Sequence, residues 1–188
     1  MEQLLFLKEF FRHWKEVGSI APSSRFLSER LCRQIDFCRA ETLVEFGPGL
    51  GNITRELLRR MRPDARLIAF EINGNFCRRI SEIGDLRLTV HNRSVCSLRD
   101  EAFGKADYVV SGIPLTLCSL QTREAVFSSS RSLLREGGVY LQYQFTPAVY
   151  PAIKRAFGNV ELDFVLANTP PAFIYKSIHY AGDGGCAH

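Results

Sequence analysis

Between Ala40 and Leu134 the chain switches repeatedly between two hydrophobic periods, and this alternation restricts the fold more than any other feature. Short, turn-bounded runs rich in β-branched and aromatic residues read as strands: Thr42–Phe46 (TLVEF), Leu67–Phe70 (LIAF), Leu86–Val90 (LRLTV) and Asp107–Val110 (DYVV). Helical spacing marks Ile53–Met61, Phe76–Ile83 and Leu120–Leu134. Strands joined through helices predict a parallel sheet, because parallel neighbours need a long crossover. Val139–Phe145 reads as a fifth strand after Gly137-Gly138, and a helix near Val149–Phe157 follows. Val160–Leu166 and Phe173–Tyr180 are linked only by Ala167–Ala172 with its Pro170-Pro171 turn. That link is too short for a crossover, so an antiparallel hairpin is expected. The fold class expected is α/β, with seven strands forming a mostly parallel Rossmann-like sheet that ends in a hairpin. Two helices are expected before the sheet: Met1–Val17, stopped at Gly18, and Ser24–Phe37, entered after Pro22-Ser23. The chain thus divides into N-terminal helices (1–39), a core (40–180) and a tail, AGDGGCAH (181–188), expected to be disordered.

The stretch Val44–Asn52 (VEFGPGLGN) joins the first strand to the first crossover helix through Gly47, Pro48, Gly49, Leu50 and Gly51. Glycines there let the backbone turn tightly and approach a ligand where a Cβ would clash. A P-loop does not fit, because no Gly-Lys-Ser/Thr follows. The spacing is GxGxG, whereas a dinucleotide pyrophosphate on a helix N-terminus calls for GxGxxG. Glu45 precedes the loop, where it repels phosphate and suits a cation. S-adenosylmethionine carries a sulfonium and an α-amino group and no phosphate, so it matches these electrostatics best. Glu71, 20 residues past Gly51 at the end of the second strand, can take both ribose hydroxyls in a bidentate contact.

Composition adds bounds. A net charge of +4 leans weakly toward anionic partners such as a membrane surface or nucleic acid. The six cysteines form no CxxC pair or zinc-spaced cluster, which points to a reduced cytosolic protein without structural metal. No apolar run reaches the roughly 18 residues of a membrane span, and the N-terminus shows no signal-peptide cleavage pattern.

With the loop, both acids and the strand count in place, the sequence resembles the class I S-adenosylmethionine-dependent methyltransferases over nearly its whole length. Three further stretches, VGSIAPSSR (17–25), SGIPL (111–115) and NTPPA (168–172), are similar to the bacterial phospholipid N-methyltransferases. That group is itself related to the ribosomal RNA adenine dimethylases. The resemblance implies a cofactor site of Glu45, Gly47, Pro48, Gly49, Gly51, Glu71, Ile72, Ser94, Val95 and Ser111. It implies chemistry at Ser111, Gly112, Ile113 and Pro114, with Tyr143 from the fifth strand, and an acceptor site of Arg25, Phe26, Leu115 and Tyr140. Gln142 and Gln144 lie at the same strand end, and alternation sets Tyr140 and Gln142 on one face with Tyr143 on the other. Each strand tyrosine can equally be core packing.

Two departures shape the expected acceptor. The adenine enzymes place Asn-(Ile/Leu)-Pro-(Tyr/Phe) after the fourth strand, so that an amide holds the exocyclic amine and a ring stacks on the flipped base. Here the sequence reads Gly112-Ile113-Pro114-Leu115, which lacks both groups. Many relatives also carry Asp after the third strand for the adenine amine, whereas this chain reads Asn92-Arg93-Ser94-Val95, leaving a weaker hydroxyl acceptor. The resemblance therefore implies methylation of a phospholipid headgroup amine of the phosphatidylethanolamine type, at the cytosolic face of a membrane. RNA adenine or protein methylation, and an idle cofactor-binding module, remain as alternatives.

In Met1–Val17, residues Leu4, Phe6, Leu7, Phe10, Phe11, Trp14 and Val17 share one helical arc of about 160°. Lys8, Arg12, Lys15, Glu9, Glu16 and His13 lie opposite. An interfacial membrane helix and a cap over the protein's own core both fit that pattern. Phe26 and Leu27 are likewise open to two readings: a wall of the pocket, or an amphipathic helix packed on the sheet. Arg25, Lys154 and Arg155 are generic anchors for a headgroup phosphate.

Overall fold

The computed structural model describes residues 25–98 and 103–180. Among them, helix α1 (Arg25–Cys32) is followed by β1 (Thr42–Phe46), α2 (Asn52–Arg60), β2 (Arg66–Glu71), α3 (Gly74–Ser81) and β3 (Leu88–Asn92). Then come β4 (Ala106–Ser111), α4 (Leu120–Leu133), β5 (Leu134–Gln144), α5 (Tyr150–Phe157), β6 (Glu161–Val165) and β7 (Ala172–Ile178). The Met1–Val17 helix, Ser24 and the tail expected at 181–188 lie outside the described residues.

The seven strands form one sheet in the order β3-β2-β1-β4-β5-β7-β6. Strands β1 to β5 pair in parallel, while β7 runs antiparallel to both β5 and β6. The expected α/β sheet and C-terminal hairpin are both present. β1 is buried at every position, as a central parallel strand covered on both faces must be. One face packs Leu27, Leu31, Ile53 and Leu57 of α1 and α2 against Leu43, Leu67, Val110 and Leu141. The other packs Val126, Phe127, Ile153 and Phe157 of α4 and α5 against Val44, Phe46, Val109 and Tyr140.

Three of the boundaries that differ from those expected have a local cause. β3 starts at Leu88, two residues past the expected Leu86, because Asp85 folds back on the backbone and guanidinium of Arg87. This turn leaves Leu86 fully exposed. β5 begins at Leu134, opposite Ala106, and passes through a bulge before Tyr108 meets Val139. α1 ends at Cys32, and Gln34 and Ile35 donate to carbonyls three residues back in tighter turns.

Chain order out from β1 to β3 and back to β4 leaves a crevice at the carboxyl ends of β1 and β4. In an open parallel sheet such a reversal is where ligands bind.

Candidate active site

Phe46 and Ser111 end β1 and β4 side by side, and the loops that follow are stitched to neighbouring strand ends. Gly47 N–H donates to Phe70 O at 2.9 Å, and Gly112 N–H donates to Phe46 O at 2.8 Å. Gly47, Gly49 and Gly51 take φ of 66°, 56° and 78°, a region L-residues rarely adopt. A Cβ on Gly49 would meet nothing within 4 Å, so space opens above the loop that a ligand can fill. This cradle and the acids below it fit the expected cofactor.

Glu71 is 5% exposed and ties the loop to the end of β2. Its Oε2 accepts from Gly49 N–H at 3.1 Å and its Oε1 from Asn73 N–H at 2.8 Å. Burial raises its pKa against these backbone donors. Each carboxylate oxygen keeps a further lone pair for a ribose hydroxyl. Ile72, half-buried, follows it.

Glu45 sits deeper, 2% exposed, accepting from the Thr54 hydroxyl of α2 at 2.8 Å. Burial pushes its pKa up to about 8 against that hydrogen bond, with Glu71 adding to the rise. The fold therefore holds a proton that the unfolded chain releases near 4.5. The stability this proton contributes is complete below that value and is lost as pH rises through about 8. Denaturant midpoints measured from pH 5 to pH 9 should fall with pH, and Glu45→Gln should flatten the slope. A cation bound above the loop favours the ionised carboxylate, so cofactor uptake at neutral pH is expected to release about one proton. Calorimetry in buffers of different ionisation enthalpy measures that release, and Glu45→Gln should abolish it.

Ser94 caps a short turn, its hydroxyl oxygen accepting from Cys96 N–H at 3.2 Å, which leaves one lone pair for an adenine amine. Val95 is a core residue whose carbonyl takes the Ser129 hydroxyl at 2.7 Å.

At the end of β4 the decisive residues come from β5. Gln142, fully buried, sets Nε2 within hydrogen-bond distance of Ser111 O (3.0 Å), Ile113 O (3.1 Å) and Tyr143 O (2.8 Å), which share its two hydrogens. Gln144 Nε2 reaches Ile113 O at 2.8 Å, and Leu115 N–H adds a third donor to that carbonyl at 2.8 Å. The Pro114 carbonyl takes Leu117 N–H at 2.9 Å. Two glutamines thus clamp the SGIPL loop. Their alternate spacing in the otherwise apolar and aromatic run Val139–Phe145 was the signal for this role, since a buried amide must bond to something. Gly112 has no room for a side chain: a Cβ would lie 2.9 Å from Gly47 O and 2.9 Å from the Tyr143 hydroxyl.

The expected acceptor residues do not converge. Tyr140 is fully buried, its ring stacked on Phe157 at 4.8 Å and its hydroxyl given to Gln142 Oε1 at 2.7 Å. Leu115 is fully buried in the same cluster. Both are core residues, because the face of β5 that carries Tyr140 lies under α4 and α5. Arg25 stands on the surface paired with Glu29 at 2.6 Å, and Phe26 is 58% exposed beside the buried Leu27.

A family model described as a methyltransferase domain matches residues 43–138. An ornithine lipid N-methyltransferase of Singulisphaera acidiphila is 32% identical over 183 residues, 91% of this chain and 93% of that protein. A ribosomal RNA small subunit methyltransferase A of Mycoplasmopsis synoviae is 31% identical over 107 residues, 55% of this chain but 38% of that protein. In fold, the chain is similar to the N-methyltransferase NodS of Bradyrhizobium japonicum solved with S-adenosyl-L-homocysteine. The TM-score there is 0.66 at 12% identity, covering 83% of this chain and 88% of that one.

Proposed function

Since the chain belongs to the class I S-adenosylmethionine-dependent methyltransferases, we propose that its acceptor is the headgroup amine of a membrane lipid. The end of β4 carries this reading. The place of an amide side chain at residue 112 is filled by Gly47 O and the Tyr143 hydroxyl, and Leu115, where an aromatic would stack on a base, is buried. A lipid amine has no π-face and needs neither group. The similarity to an ornithine lipid N-methyltransferase along nearly the whole chain supports the same class.

The cofactor supplies an activated methyl group when bound. The chain's residues hold it and align the acceptor: the glycine loop gives close backbone approach, Glu71 takes the ribose, and Glu45 sets negative charge beneath the loop. The glutamine clamp fixes the loop beside which the acceptor nitrogen must stand, and such positioning is the main protein contribution to an in-line displacement.

We place the reaction at the cytosolic face of a membrane, with the protein bound peripherally. Among the described residues no helix is long and apolar enough to cross a bilayer. The five described cysteines are free, in keeping with a reducing compartment. A groove of about 770 Å³, lined by Arg55, Arg78 and Arg79 with Glu82 as its acid, opens between α2 and α3. Arg55 Nη1 also holds Leu50 O and Gly51 O, so this basic groove adjoins the cofactor loop. Guanidinium groups suit phosphates of a bilayer surface.

Incubation with methyl-labelled cofactor and vesicles containing phosphatidylethanolamine or ornithine lipid should yield labelled lipid. Label entering RNA added from a cell extract, with none in lipid, would overturn the reading in favour of the adenine enzymes.

A further inference from the structure

We propose that the carboxyl end of the sheet, the rim of the crevice itself, is the surface that this protein sets into the headgroup layer of an anionic bilayer. The proposal takes its acceptor from the lipid-amine reading above and adds the face that meets the membrane.

Register across the sheet fixes the level of this rim. Phe46, Ser111, Gln142, Tyr175 and Leu162 stand in one row, the last row of β1 and β4. β6 runs in the same direction as β1 to β5, because it is antiparallel to β7 and β7 is antiparallel to β5. Phe164, two residues beyond Leu162, therefore stands about 7 Å past that row, and Leu166 lies farther out. Leu117 and Leu120 come from the loop that follows β4 and from the first turn of α4. Leu120 and Leu166 are 75% and 74% exposed, and Leu117 and Phe164 are nearly half exposed. Phe26 reaches the same edge. It lies one turn before Arg30, whose guanidinium holds Asp163 of β6 at 2.6 Å, and α1 then descends toward the start of β1.

Charge divides the two ends of the sheet. Among the described residues, the connections at the carboxyl end (47–51, 72–73, 93–98, 112–119, 145–149 and 166–171) carry one charged side chain, Arg93, and no acid. The connections at the opposite end are dense with ions, among them Asp36, Arg39, Glu41, Asp64, Asp85 and Arg87. Guanidinium groups stand around the apolar ring: Arg25 at the head of α1, Arg93 after β3 and Arg55 beside the cofactor loop. Leucines that protrude singly from uncharged loops, with arginines outside them, match a bilayer. Its acyl boundary takes the apolar side chains and its phosphates take the guanidinium groups. A protein partner seated on the same ring would close the crevice, whereas a bilayer delivers the acceptor amine through it.

Flotation of the full chain with vesicles of phosphatidylethanolamine and phosphatidylglycerol tests this surface. The double variant Leu120→Gln/Leu166→Gln should weaken vesicle binding by about tenfold. Leu86→Gln, at a residue fully exposed at the opposite end, should leave binding within about twofold. Methylation should divide in the same way, with kcat/KM about tenfold lower on vesicles and unchanged on a short-chain phosphatidylethanolamine dissolved as monomer. Unchanged flotation of the double variant overturns the proposal, and a lowered thermal midpoint beside it assigns the ring to a contact within the chain. Equal losses for the double variant and Leu86→Gln also overturn it, since binding would then follow surface apolarity at either end. If the wild type floats but methylates neither phosphatidylethanolamine nor ornithine lipid, the lipid-amine reading fails while the flotation contrast still decides which face meets the bilayer.

Discussion

Glu71→Ala is expected to weaken S-adenosylmethionine binding by about 30- to 100-fold, because it removes contacts of two kinds at once. The first is the contact proposed to the ribose, whose hydroxyls would lose a charged acceptor; hydrogen bonds to charged groups are worth about 1.5–3 kcal/mol. The second is internal. Oε2 holds Gly49 N–H at 3.1 Å, and without it the middle of the glycine loop loses its tie to β2. Asn73 N–H, at the start of α3, also loses its acceptor. Glu71→Gln keeps one carbonyl oxygen but no charge, so an intermediate loss of about tenfold is expected. Titration calorimetry with S-adenosylhomocysteine reads both variants. Binding within about threefold of wild type for Glu71→Ala would show that the ribose is held elsewhere.

Gly112→Asn restores on paper the first residue of the adenine-enzyme motif, and it is expected to abolish methyl transfer rather than redirect it. The Cβ itself is the obstacle, at 2.9 Å from a backbone oxygen, Gly47 O, and from the Tyr143 hydroxyl. A tyrosine can swing aside, but the Gly47 carbonyl belongs to a loop fixed by its own N–H bond to Phe70 O. Relief must therefore come from separating the loops after β1 and β4, which opens the cofactor cradle. Overpacking of this kind costs about 1–3 kcal/mol of stability, and activity should fall by about 100-fold or more. Gly112→Ala should carry most of the same penalty. The double variant Gly112→Asn/Tyr143→Phe should not recover activity, because one of the two clashes is with backbone. Thermal melts and the vesicle assay together check this, and methylation of RNA by Gly112→Asn would refute the steric argument.

Much of the proposed cofactor half of the site is local in the chain. The GxGxG spacing, the acid before it and the acid 20 residues later are local, because a strand end, a tight turn and a helix start are consecutive in sequence. The structure ties Gly49 to Glu71 by one hydrogen bond and Glu45 to Thr54 of the helix after the loop by another. The acceptor half was read less well. Leu115 and Tyr140 both pointed to a substrate wall, and both are core. An aromatic at a strand end has the same sequence signature whether its face is covered by helices or opens on a crevice. Burial of Tyr140 depends on α4 and α5 packing over that face, and Phe157, its stacking partner, is 17 residues away.

The sequence by itself determined the parallel sheet, the hairpin at its end and a loop suited to a cation rather than a phosphate, since period, turn chemistry and charge act over a few residues. Only the tertiary structure decided that Gly112 leaves no space, that Gln142 and Gln144 clamp the loop across from it, and that Tyr143 fills the gap. Those contacts join β1, β4 and β5, which are distant in the chain and adjacent only because the sheet reverses its order between the first and fourth strands.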